Sequence, residues 1–308
     1  MPAPRSPCAA RIPAAAALLI AAGIAHAEGT ARPAPAVSAQ AGIEITLAAG
    51  AWPPGEAPHV LSVLHQTADA LLRHIPAPPR AAIVVGRESG YPEVLYRRKA
   101  GEAFQVRVTP GYGAWPQLIY EFGHEFCHIL TRFDAGAVRR GPHPHQWFEE
   151  ALCEAAGLHS LQTLARDWSE PSLGPRAHAH ARALTRYADL LRTEPHRRPD
   201  PHPDLATWYR ANRHVLARSP YYRAKNEVVA NALLEYFEAD PRRWSVITNI
   251  NGDPTPPAAF RDYLQHWCDA TPEPQRPAVM DVMAMLGLPA PPPQTSAAER
   301  LRSAAARR

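Results

Sequence analysis

The order of apolar and polar positions changes period several times along the chain. Residues 42–48, GIEITLA, alternate in the two-residue rhythm of a half-buried strand. Over 57–75 the period lengthens, with Val60, Leu64, Leu71 and Ile75 recurring at helical spacing until PAPP stops the run. AAIVVG (81–86) is short, apolar and β-branched, which suits a buried strand. EVLYRR (93–98) and AFQVRVTP (103–110) read as two further strands, joined as a hairpin around 99–101. Beyond GYGAW the pattern becomes helical and stays so. Pro116 suits a first helical turn, and Leu118, Phe122, Phe126 and Ile129 repeat on one face.

After breakers at 134–145, QWFEEALCEAAGLHSLQTLA predicts a second helix over 146–165. Helical pieces follow near 177–192 and 204–217 in a stretch rich in His, Arg and Pro. A clear amphipathic helix covers 223–240, with Val228, Val229, Ala232, Leu233, Tyr236 and Phe237 on one face. Shorter helices are expected near 258–268 and 276–286. Strands come first and helices afterwards, with one helix among the strands, so the pattern predicts an α+β fold. The sheet part spans 42–113 and the helical part 114–288, within a single domain of 42–288.

The two ends read differently. Arg5 and Arg11 precede an uncharged apolar run at 12–25, and Ala25-His26-Ala27 has the small-x-small form of a cleavage site. The run falls short of the roughly 20 residues needed to cross a bilayer. Residues 1–27 are therefore expected to be a signal peptide. The mature chain is expected to be exported, periplasmic or secreted, without stable membrane insertion. Residues 28–41 resemble a flexible linker, and the Pro-rich and basic 289–308 a disordered tail.

Charge follows this division. The net charge is +4, but the excess sits in the leader arginines and in the arginines of AAERLRSAAARR at the end. The body is near neutral, which argues against a nucleic-acid-binding surface. Cleavage leaves Cys127, Cys153 and Cys268, an odd number.

Candidate chemistry concentrates at YEFGHEFCHILTRF (120–133). On a helix, four residues advance about 6 Å and return nearly to the same face, so His124 and His128 can converge on one Zn²⁺. Glu125 projects about 100° away, beside the ion, where a base for zinc-bound water belongs. A third ligand has three candidates. Asp134 lies six residues after His128, but ILTRF has no glycine to bend the chain back and is expected to stay helical. His143 and His145 sit on a proline-rich turn. The last candidate is the WFEEALCEAAG segment (147–157).

Together, the His-Glu-x-x-His pattern at 124–128 and the Trp147–Glu150 segment resemble the gluzincin group of zinc peptidases, including the thermolysin-like and aminopeptidase-like families. The resemblance covers about 40 residues, with Ala151 and Cys153 departing from the group's usual segment. It implies that Glu150 is the third ligand to a single zinc ion, with Glu149 in reserve and Glu154 buttressing His124 or His128. It implies hydrolysis of a peptide or protein substrate, with Glu125 as general base. It also implies a small sheet whose edge strand, taken as 104–109, binds extended substrate. A downstream hydrogen-bond donor to the oxyanion is expected at Tyr222 or Tyr221, with Tyr222 preferred. Both tyrosines could equally pack at a helix start.

Cys127 and Cys153 lie beside ligands on the two helices and could form a bridge or remain small buried residues. Two other functional classes compete. One is a non-catalytic zinc-binding protein with a degenerate peptidase fold, which would have no need of Glu125. The other is a histidine-rich zinc scavenger drawing on HPH (143–145) and HAHA (178–181).

Overall fold

A computed structural model describes residues 42–95, 101–111, 113–134, 144–198, 204–252 and 258–288. The expected signal peptide, linker, tail, hairpin tip at 99–100 and His143 lie outside the described residues.

Four strands form one sheet: β1 (Ile43–Leu47), β2 (Ala81–Arg87), β3 (Glu93–Val94) and β4 (Phe104–Val108). Their spatial order is β1-β2-β4-β3. The first three run parallel, and β3 runs antiparallel to β4. Alternation explains the burial: Ile43, Ile45, Ile83, Val85, Val106 and Val108 turn inward while the intervening positions face outward or part-way out. Helix α1 (Ala57–Leu72) forms the crossover between β1 and β2 and buries Val60, Leu64 and Leu71.

The edge strand differs from expectation. The 104–109 segment is β4, flanked on both sides by β2 and β3, so it offers no free edge. The sheet's two edges are β1 and the two-residue β3, which pairs with β4 at Arg107 and Val106 in the antiparallel sense of the expected hairpin.

The helical part contains α2 (Trp115–Leu130), α3 (Gln146–Asp167), α4 (Gly174–Arg192), α5 (Leu205–Leu216), α6 (Arg223–Ala239), α7 (Phe260–Ala270) and α8 (Arg276–Met285), with short 3₁₀ segments between. One of these, Pro241–Asn249, is not evident in the sequence periodicity. Helix α3 runs through the centre and contacts α1, α2, α4 and α6. Nearly every residue from Gln146 to Ala165 is buried, so α3 lacks the one-sided apolar stripe of a surface helix. Among the described residues no helix is long and apolar enough to cross a membrane. The architecture is α+β, a small sheet followed by a mostly helical remainder.

Two glycines set how closely α2 and α3 approach. A Cβ on Gly157 would lie 2.8 Å from the Tyr120 carbonyl oxygen, and one on Gly123 would lie 2.7 Å from Ser160 Oγ. Only hydrogen fits at either position.

Candidate metal centre

Helix α2 carries His124, Glu125 and His128, and α3 carries Glu149, Glu150 and Glu154. The close crossing brings these side chains together. The Nε2 atoms of His124 and His128 are 3.3 Å apart. Glu150 Oε2 lies 3.5 Å from the first and 3.7 Å from the second. Zinc held by bonds of about 2.1 Å in a tetrahedron has ligand atoms roughly 3.4 Å apart. The three donor atoms thus already outline one face of such a tetrahedron, and this chemistry of two imidazoles and one carboxylate fits a divalent cation.

Each imidazole is held from its far side. His128 Nδ1 donates to Glu149 Oε1 at 3.0 Å, and that carboxylate also accepts from Thr131 Oγ1 (2.8 Å) and Asn251 Nδ2 (3.1 Å). His124 Nδ1 faces Glu154 Oε2 at 3.6 Å. Both rings therefore point Nε2 at the shared position and Nδ1 at a carboxylate, the arrangement that orients metal-ligating histidines. Glu149 is turned away from the shared position, and Glu150 is the third ligand candidate.

Protonation follows from this crowding. Burial opposes a charged imidazole at His124, yet Glu150 and Glu154 outweigh it and push the group up to about 10. Burial likewise opposes charge at His128, and Glu150 and Glu149 push that ring well above its ordinary value. Burial raises the Glu150 carboxyl less than the two histidines lower it, leaving it well below the usual range. The pair of rings thus attracts positive charge strongly, as protons or as a cation that displaces them.

Glu125 lines the same cleft. Its Oε2 accepts the Val94 backbone N–H at 2.7 Å, which ties it to β3. Burial pushes its carboxyl up, against the pull of His124 and His128.

The other sequence candidates separate clearly. Tyr221 lines the cleft, and Gln146 Nε2 donates to its hydroxyl at 3.5 Å. Tyr222 is 46% exposed at the start of α6 and does not line the cleft. Of the two tyrosines it is Tyr221 that lines the cleft. His145 is buried against the rings of Phe260 and Tyr263. Neither it nor Asp134 joins the His124–His128–Glu150 group. Helix α2 does not continue through ILTRF as expected. It ends at Leu130, Thr131 Oγ1 donates to the His128 carbonyl, and Arg132 adopts a left-handed φ of 58°. Cys127 and Cys153 are free buried thiols. Burial and the adjacent Cys127 thiol push Cys153 well up.

Several participants escaped the sequence reading. Tyr120, whose hydroxyl contacts Glu154, stands one helical turn before His124, and Thr131 stands three residues after His128. Helical spacing could have found both. Asn251, Arg197 and Arg223 arrive from distant segments and carry no local signal. Two further groupings have metal-ligand character: His128 with Glu149 and Cys153, and Glu194 with His196 and Glu227. The first reuses the outer side of His128. The second is engaged by arginines, since Glu194 and Glu227 pair with Arg197, and Glu227 also with Arg223.

Comparison of the chain with protein-family models, curated proteins and solved structures finds no match.

Proposed function

We propose that the chain is a zinc-dependent peptidase of the gluzincin type, with His124, His128 and Glu150 holding one zinc ion and Glu125 serving as general base. The observation that carries this reading is the triangle of donor atoms at 3.3, 3.5 and 3.7 Å, with a second carboxylate behind each imidazole. Three protein ligands leave a fourth position open, as catalytic rather than structural zinc requires. Zinc bound there would polarise a carbonyl and lower the pKa of a water towards about 7.

The chain's own groups supply the rest. Glu125, raised by burial and oriented by Val94, accepts the water proton and passes it to the departing amine. Tyr221, which lines the cleft, is taken as the donor to the developing oxyanion. The export expectation is consistent with action on peptides outside the cytoplasm.

The test is metal analysis of purified protein together with turnover of a mixed peptide library. One tightly held zinc per chain is expected, lost in H128A and E150A. E125Q is expected to keep zinc while hydrolysis falls by about 10²–10⁴-fold. A wild-type chain that holds no zinc refutes the reading. Zinc without hydrolysis would make this a binding protein instead.

A further inference from the structure

Arg197 closes a 3₁₀ turn, Pro195–Arg197, well outside the helices that carry the candidate ligands. Its side chain is nonetheless wholly buried, at 0% exposure. A guanidinium is seldom taken out of water without partners; here Nε and Nη2 are engaged, while Nη1 is buried with no hydrogen-bond partner among the described residues. Its Nη2 donates to Glu154 Oε1 at 2.6 Å and lies 3.0 Å from Glu227 Oε1, and its Nε donates to Glu194 Oε2 at 3.1 Å.

The contact with Glu154 decides what His124 meets. Tyr120 OH donates to the same oxygen that Arg197 holds, so Oε1 is occupied from two sides. Only Oε2 is left to face His124 Nδ1, at 3.6 Å. Arg197 Nη2 and Tyr120 OH hold the same oxygen, so turning the Glu154 carboxylate away from His124 would break a charge-assisted and a neutral hydrogen bond together. The two histidines are thus held differently. Glu149, behind His128, is held by the neutral donors Thr131 and Asn251, whereas Glu154, behind His124, is held by a buried cation. Glu227 extends the clamp, since it also pairs with Arg223 in the first turn of α6.

We propose that Arg197 is a positioning residue for the metal centre, clamping Glu154 so that His124 keeps Nδ1 turned to that carboxylate and Nε2 turned to the ion position. The inference rests on the zinc reading above, and on that reading only for the presence of the cation. Nothing in it requires Arg197 to touch substrate.

The experiment is a zinc-affinity measurement by competition with a chromophoric chelator. It compares wild type, R197Q, E154Q and R197Q/E154Q, with folding checked by circular dichroism. R197Q and E154Q are each expected to weaken zinc binding about 10- to 100-fold, the usual effect of losing an outer partner. The double variant is expected to be no weaker than the worse single one, because Arg197 acts through Glu154. Cobalt bound in place of zinc should show shifted visible absorption bands in R197Q, which a purely structural role would not produce. Affinity within twofold of wild type in folded R197Q or E154Q would overturn the proposal, as would losses that multiply in the double variant. Should R197Q fail to fold, R197K retains the buried charge without the planar fork. It is expected to weaken binding similarly, and wild-type affinity there would overturn the proposal. A wild type without zinc defeats the peptidase reading. A wild type with zinc and an indifferent R197Q defeats this inference alone.

Discussion

Glu149 and Glu150 are adjacent on α3 yet meet different nitrogens of the same imidazole. Glu149 Oε1 accepts a hydrogen bond from Nδ1 of His128 at 3.0 Å, while Glu150 Oε2 lies 3.7 Å from Nε2. One residue of helix rotation therefore separates a candidate ligand from the group that orients a candidate ligand. E149A is expected to retain one zinc per chain with affinity reduced about 10- to 100-fold, whereas E150A should lose stoichiometric zinc. Equilibrium dialysis with metal analysis distinguishes the two.

The glycines at the α2–α3 crossing give a second expectation. An added methyl at Gly157 meets the backbone carbonyl of Tyr120 at 2.8 Å, and no rotamer change relieves a backbone clash. G157A should cost about 1–3 kcal/mol of stability through overpacking. It should also weaken zinc binding, because separating the helices spreads the donor atoms. A denaturant melt and a chelator competition on the same sample check both effects.

Tyr221 and Tyr222 offer a within-pair control. Tyr221→Phe should lower kcat about 10²–10³-fold with KM little changed, as expected for a donor acting in the transition state. Tyr222→Phe, at an exposed hydroxyl outside the cleft, should leave both constants near wild type. Equal losses in the two variants would remove Tyr221 from the proposed mechanism.

Acid sensitivity follows from a pair away from the centre. Burial tends to raise the Glu238 carboxyl, but His159 and Arg166 hold it below its ordinary value of 4.5. A carboxyl lowered by folding stabilises the native state above the unfolded value and loses that contribution as pH falls through the folded one. The charge-assisted contact between His159 on α3 and Glu238 on α6 should contribute about 1–2 kcal/mol. Melting temperatures of wild type and E238Q should therefore differ above pH 5 and converge as the pH falls below 4. A difference that persists undiminished in acid would show that the carboxylate charge is not responsible.

The sequence made some parts of this molecule legible for local reasons. His124 and His128 share a helix face by spacing alone, and Glu150 and Glu154 follow the same rule on α3. Strand alternation placed β1, β2 and β4 to within a residue or two, and the α+β order followed from them. What could not be read is long-range. The antiparallel pairing of 93–98 with 103–110 was legible, but nothing near 104–109 says that β2 will pair in parallel along its other side, and nothing in PHR (195–197) says that its arginine will be buried beside Glu154. The choice between Tyr221 and Tyr222 turns on the direction in which a helix begins, which two identical neighbours cannot encode. The end of α2 was misjudged because Thr131 bonds both its own helix and Glu149, a tertiary contact that stops the helix early.

Burial of α3 on every side has a mechanical consequence. A helix wedged among four others cannot tilt or slide without breaking several packed interfaces at once, so the floor of the cleft is stiff. Whatever give the cleft has belongs to the margins. These are the two-residue strand at Glu93–Val94, where Glu93 is partly open to solvent while Val94 is buried, and the turn leading through the half-buried Tyr221 into α6. Backbone amides along α3 should be among the last in the protein to exchange with deuterium, and those of the turn into α6 among the first.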